Sequence, residues 1–199
     1  KQVNTNTSRI IFPEGADSIA QQIAAGTSFL QQQYPMNAAG NFKKINIVLQ
    51  NQTTISNAYV SLAPWRSEFY LMPPQNTFDL GAQNWANLLT VHEWRHVQQY
   101  NYFNRGNAKL VGALFGQYGR ATANAAAIPD WFFEGDAVYN ETRLTSQGRG
   151  KLPAFFNGYK SILNDTTQYN YMQLRNGSYR NYIPDHYQLG YLLVLYGIE

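Results

Sequence analysis

The chain has 199 residues, enough for one domain with its own core, alone or with a small subdomain, and size alone calls for no disulfide or metal staple. It carries 15 Lys and Arg against 12 Asp and Glu, a formal charge of +3, and the cations are scattered along the sequence, which argues against a nucleic-acid partner. Cysteine is absent, so a disulfide framework and a thiol nucleophile are both excluded.

Charged residues make up only 14% of the chain, and Asn, Gln, Ser and Tyr are plentiful, a surface chemistry that points to an exported protein, periplasmic or extracellular. The opening "KQVNTNTSRIIF" has no apolar signal region, so either the protein is not exported or this sequence is a mature or trimmed form. No later run approaches the ~20 apolar residues of a membrane-spanning helix, and no transmembrane segment is expected.

After the polar start, Arg9 to Phe12 reads as a short strand. Asp17 to Gln33 reads as a helix with apolar residues at Ile19, Ile23, Phe29 and Leu30, closed by Pro35. "KINIVLQ" (44–50) alternates Ile45, Ile47 and Leu49 as a strand does, and "AYVSLA" and "SEFYLM" follow as strands before Pro73 and Pro74. From Asn84 the period becomes helical: Trp85 to Tyr102, "AKLVGALFG", a segment opening at Pro129-Asp130, "PAFFNGYKSIL" and "DHYQLGYLLVLYGIE". "ATANAAA" between them reads as a loop or helix end. Strands first and helices second make an α+β chain: a sheet subdomain over 1–83 and a helical subdomain over 84–199. The sequence stops inside an apolar helical run with no C-cap signal, as a piece of a longer chain with a further C-terminal domain would.

The helix from Trp85 holds "TVHEWRHVQQ", with two of the chain's three histidines four positions apart. On a helical wheel, His92 and His96 fall ~40° from each other, on one face. Val91, Trp94 and Val97 lie on other sides, so the helix is expected to be buried, with Arg95, Gln98 and Gln99 facing outward. Buried imidazoles and a buried carboxylate each need a partner. A zinc ion, one per chain, meets that need, because residues i and i+4 reach one ion at ~2.0 to 2.1 Å. Glu93 then stands beside it as general base toward a metal-activated water. An HExxH also arises by chance on exposed helices; the apolar flanks and the scarcity of histidine favour the metal.

Zinc in a catalytic site takes three protein ligands. "IPDWFFEGDAVYNE" supplies the third: Glu134 and Glu141 share one helix face, ~20° apart, while Asp136 points away. Glu134 is the better ligand, and Glu141 is placed to accept a hydrogen bond from a ligand histidine.

HEWRH followed by WFFEGDAVYNE resembles the gluzincin metallopeptidases, notably the aminopeptidase N-like clan. The resemblance implies a zincin-like fold with a small N-terminal mixed sheet and a helical part carrying the zinc site. It implies that His92, His96 and Glu134 bind zinc and that Glu93 is the base. "HYQLGYLLV" is similar to the family's later segment bearing an oxyanion-stabilising tyrosine, which maps to Tyr187, with His186 as the rival and Tyr182 a weaker one. The likeness covers residues 84 to 199, with two departures. His96 and Glu134 are separated by 37 residues, more than is usual in the aminopeptidases, and the segment that reads a free amino terminus is not visible. In zincins the strand before the zinc helix lines the cleft, so part of Tyr59 to Leu71 is expected to pair with an extended substrate. Taken whole, the chain resembles exported bacterial gluzincin domains that precede a β-propeller. A metallopeptidase acting on a peptide or protein is the expected function. The alternative is a catalytically inactive gluzincin-like module that binds a peptide or glycan.

Overall fold

The computed structural model describes residues 1–36, 42–76, 78, 80–164 and 166–198; Glu199, the end of the last expected helical run, lies outside them. In chain order the elements are β1 (Gln2–Asn4), β2 (Ser8–Ile11), α1 (Asp17–Gln33), β3 (Ile45–Gln50), β4 (Ala58–Leu62), β5 (Trp65–Tyr70), α2 (Trp85–Tyr102), α3 (Gly106–Ala127), α4 (Asp130–Leu144), α5 (Asn157–Leu163), α6 (Tyr171–Asn176) and α7 (His186–Ile198). Short 3-10 turns at Arg149–Lys151 and Pro153–Phe156 lie between α4 and α5. The chain is α+β: among the described residues it has a five-stranded mixed sheet and seven α-helices. None of these helices is long and apolar enough to cross a membrane. Two compact units are distinguished, Lys1–Gln75 with Asn84–Ala127, and Asn76–Gln83 with Ile128–Glu199. The first therefore contains the sheet together with α1, α2 and α3.

In the first unit the sheet order is β1-β2-β3-β5-β4. The inner strands β2, β3 and β5 run parallel, and the terminal strands β1 and β4 are antiparallel to their neighbours. Alternation decides which side chains enter the core: Ser8 and Ile10, then Ile45, Ile47 and Leu49, then Trp65, Ser67 and Phe69. A parallel β2–β3 pair needs a crossover, and α1 supplies it. Its buried face is Ala20, Ile23, Ala24, Thr27 and Leu30. Phe29, expected on that face, is 54% exposed, because it sits ~120° around the wheel from Ile23. Thr27 is tolerated inside because its hydroxyl meets that of Ser8 at 3.0 Å and donates to the Ala24 carbonyl.

Helix α2 begins where it does because the Asn84 side chain accepts the Asn87 N–H at 3.1 Å, an N-cap. The Trp85 indole N–H then donates to the Tyr70 carbonyl at 2.8 Å, tying the first turn of α2 to the end of β5. Helix α3 departs from expectation. "ATANAAA" is helical to Ala127, and the run breaks instead at Gly116, whose φ of 67° and ψ of −150° only glycine adopts cheaply. Two further elements, β1 and α6, had no strong periodic signal; α6 is started by a capping box between Asn170 and Gln173.

In the second unit α4 packs on α7 around Val138, Phe155 and Tyr191. The two helices cross at Gly135 and Gly190, where backbone lies against backbone: a Cβ at Gly190 would overlap the Trp131 carbonyl oxygen, and one at Gly135 would overlap the Gly190 backbone. Neither obstacle is a flexible side chain. Gly190→Ala is therefore expected to cost at least ~1–3 kcal/mol, as overpacking does, and to lower the urea midpoint. An unchanged midpoint would show that the helices do not cross at these glycines.

Candidate metal centre

All of α2 from His92 to Gln99, apart from the half-buried Arg95, is buried. Here the expectation that Gln98 and Gln99 face outward fails: they are 4% and 0% exposed. Their amides are acceptable inside because each finds specific partners. Gln98 donates to the Tyr34 carbonyl at 2.9 Å and to the Gln31 side chain at 3.3 Å. The Gln99 carboxamide oxygen lies 2.9 Å from Nδ1 of His96.

The last contact fixes the chemistry of His96. A carboxamide oxygen only accepts, so Nδ1 carries the hydrogen and a neutral His96 presents its lone pair at Nε2. That Nε2 faces Nε2 of His92 at 3.2 Å, with the rings 4.9 Å apart and nearly perpendicular. Two nitrogens bound at 2.0 to 2.1 Å to one tetrahedral ion are ~3.3 Å apart, so this spacing already suits shared coordination. The side of the His96 ring is further covered by Tyr100, stacked with centroids 6.3 Å apart.

His92, His96 and Glu134 form a group in which each residue offers one ligand atom, all within 4.8 Å of one another. Two imidazole nitrogens and one carboxylate oxygen are a donor set that a divalent transition metal accepts, so the residues present fit such an ion. Glu93 is buried on α2 beside His92.

On the second unit, Glu134 and Glu141 lie on α4 as the wheel predicts, Glu134 half-buried and Glu141 0% exposed. The partner that sequence reasoning missed is Arg149, in the 3-10 turn after α4. Its Nε donates to one Glu141 oxygen at 2.7 Å, its Nη2 to the other at 2.9 Å, and its backbone N–H to the first at 3.1 Å. Burial pulls the Arg149 guanidinium down, but the Glu141 charge and hydrogen bond, with Tyr187 and Glu134, outweigh it and hold it above its ordinary value. The guanidinium also lies over the Tyr187 ring, 4.9 Å from its centroid. Tyr187 is half-buried in the first turn of α7, and the His186 ring is tilted against it at 4.9 Å. Tyr182, in the loop before α7, is 68% exposed.

The two missed residues differ in legibility. Gln99 stands at i+3 from His96, where a helix always brings side chains together, and that spacing was the available signal. Arg149 lies beyond the end of α4 in a Gly-Arg-Gly turn, with no periodic relation to Glu141.

Comparison with models of known families, with curated proteins and with solved structures finds no match to this chain. The likeness carried by HEWRH, WFFEG and HYQLG therefore stands on those residues alone.

Two outcomes are expected. Gln99→Leu frees the His96 tautomer and lowers affinity for zinc, used as the probe ion in competition with a chromogenic chelator, by ~10- to 100-fold; unaltered affinity would remove Gln99 from the centre. Arg149→Met strands the Glu141 carboxylate in the interior and costs ~3–5 kcal/mol in chemical denaturation, a loss that Glu141→Gln in the same chain largely restores.

Proposed function

We propose that this chain is a zinc-dependent metallopeptidase of gluzincin type with a zincin-like arrangement. The observation that carries the reading is the pair of buried imidazoles with facing Nε2 atoms 3.2 Å apart, one held in its tautomer by Gln99. The group they form with Glu134 supports it. His92, His96 and Glu134 would hold the ion, which when bound supplies a Lewis acid that acidifies water and polarises a carbonyl.

The remaining steps belong to side chains. Glu93 takes the proton of the attacking water and returns it to the leaving amine. The Tyr187 O–H donates to the oxygen that becomes tetrahedral, which stabilises charge without adding a full positive one; His186 is the rival donor. Arg149 grips Glu141 and stiffens the helix that bears Glu134. The hydrogen bond from a ligand histidine assigned to Glu141 belongs to the same reading. The substrate is a peptide in extended form, added to the outer edge of β4, the terminal strand of the sheet.

The test measures zinc per chain after chelation and reconstitution, with turnover of a mixed peptide library read by mass spectrometry. Wild type is expected to hold about one zinc, and His96→Ala to lose it. Glu93→Gln should keep the zinc while turnover falls by ~10² or more. Retained turnover in that variant removes Glu93 as the base. Wild type without zinc overturns the reading and turns the HEWRH helix into the buried framework of a binding module.

A further inference from the structure

The first unit contains a second polar feature, separate from the histidine pair. A cavity of about 330 Å³ is lined by Lys43, Asn104, Lys109, Gly116, Gln117 and Arg120, among others, and no lining residue is acidic. Arg120 is only 9% exposed, yet among the described residues its Nε and Nη2 have no hydrogen-bond partner. None of Lys43, Lys109 and Arg120 forms an ion pair among the described residues.

The backbone makes room for this arrangement. Gly116 breaks α3 with a positive φ, and the segment beyond the break brings Arg120 back alongside Gly112, where an added Cβ would press on the Arg120 side chain at 3.3 Å. Gln117 is occupied in accepting the Trp65 backbone N–H at 2.8 Å, and the Arg120 guanidinium lies 5.8 Å from the centre of the Trp65 ring. Arg120 is thus one of the residues lining the cavity, while its Nε and Nη2 are enclosed at the cavity's base without a hydrogen-bond partner among the described residues. Burial holds Arg120 below its ordinary value, and burial together with the charge of Arg120 does the same to Lys43. Both directions are those of cations that lack a counter-charge.

A buried guanidinium with no anionic partner among the described residues is costly even beside the Trp65 ring, and Lys43 adds a second positive charge near it. An anion relieves both. Arg offers a planar fork matched to an oxyanion, and lysine offers point charges, the combination that recognises phosphate. We propose that this cavity is a binding site for a phosphate-type oxyanion, inorganic phosphate or a phosphomonoester, with Arg120 as the buried anchor and Lys43 and Lys109 at its mouth. The site is independent of the metal centre and of the peptidase reading.

The test titrates the intact chain with inorganic phosphate at constant ionic strength, following the Arg120 Nε–H resonance by NMR and thermal unfolding in parallel. A saturable shift of that resonance and a rising Tm are expected, since a ligand of the native state stabilises it by mass action. Arg120→Gln should weaken binding about tenfold or more. Should that variant not fold, Lys43→Ala with Lys109→Ala, both at exposed positions, carries the test with the same direction of effect. No saturable shift at millimolar phosphate, or an identical response in the lysine double variant, overturns the proposal. Vesicles of phosphatidylcholine carrying phosphatidic acid separate two sources of the same chemistry. Co-sedimentation that free phosphate competes away supports a lipid headgroup in the site; phosphate binding without co-sedimentation supports a soluble phosphate there.

Discussion

The chemistry available to the first unit depends on keeping two imidazoles inside a packed helix with their Nε2 atoms toward each other. A buried imidazole needs each ring nitrogen satisfied, and the partner of one nitrogen dictates what the other offers. At His96 that partner is Gln99, itself 0% exposed and therefore held by packing in the pose that accepts from Nδ1. The consequence is a lone pair aimed at His92 before any ligand arrives. Rigidity of the helix matters as much as the contact: α2 is capped by Asn84 and tethered to β5 through Trp85. A site assembled on a fixed helix loses less freedom on binding than one assembled on a loop.

The second unit faces the corresponding problem with a carboxylate. Glu141 is fully enclosed, and enclosure of a charge is affordable only with a paired and hydrogen-bonded counter-charge. Arg149 satisfies both carboxylate oxygens and adds its own backbone N–H. A buried ion pair is a weak source of stability compared with apolar packing of the same volume, so its contribution here is geometric. It fixes the turn after α4, and through that turn the guanidinium is laid over Tyr187. The contact of Gly135 with Gly190 fixes α7 against α4 from the other direction, one residue from Glu134 and three from Tyr187. Both polar side chains are thus carried by helices whose separation is set by backbone atoms.

Where periodicity was strong, the sequence could be read to the residue. The helices at Asp17–Gln33 and Trp85–Tyr102 fall where the apolar repeat and the flanking Pro35 and Asn84 put them. The α+β class was legible from the order of strand and helix periods, and the shared face of His92 and His96 from their four-residue spacing; Glu134, on another helix, was joined to them only by the need for a third ligand and by the resemblance. What escaped was what depends on tertiary partners. Gln98 and Gln99 read as outward-facing because an amide carries no sign of whether a Tyr34 carbonyl or a histidine nitrogen awaits it. Strand β1 is polar and exists through its pairing with β2, not through its own composition. The break at Gly116 was hidden because "AKLVGALFGQYGRATANAAA" contains three glycines, and a wheel cannot tell which one adopts the positive φ. Phe29 failed as a core residue because small Ala20 and Ala24 took the face it was given.

Arg149 and Arg120 show how the same side chain acquires opposite meanings. Both are largely removed from water, and in both burial opposes the charge. For Arg149 the field of Glu141 more than compensates, its fork is filled by a carboxylate of matching geometry, and its charge is consumed in holding the fold. For Arg120, among the described residues, the cavity lining holds no acid, two nitrogens lack hydrogen-bond partners, and the group whose charge it is coupled to is another cation, Lys43. The Trp65 ring near the guanidinium brings no counter-charge, and an apolar side chain of similar volume would pack there at lower cost. Lys43 and Lys109 line the same cavity, so an anion bound there would be met by three cations. A charge whose cost falls only when something binds is a charge arranged for binding, and the cavity next to the Gly116 break is where that arrangement is found.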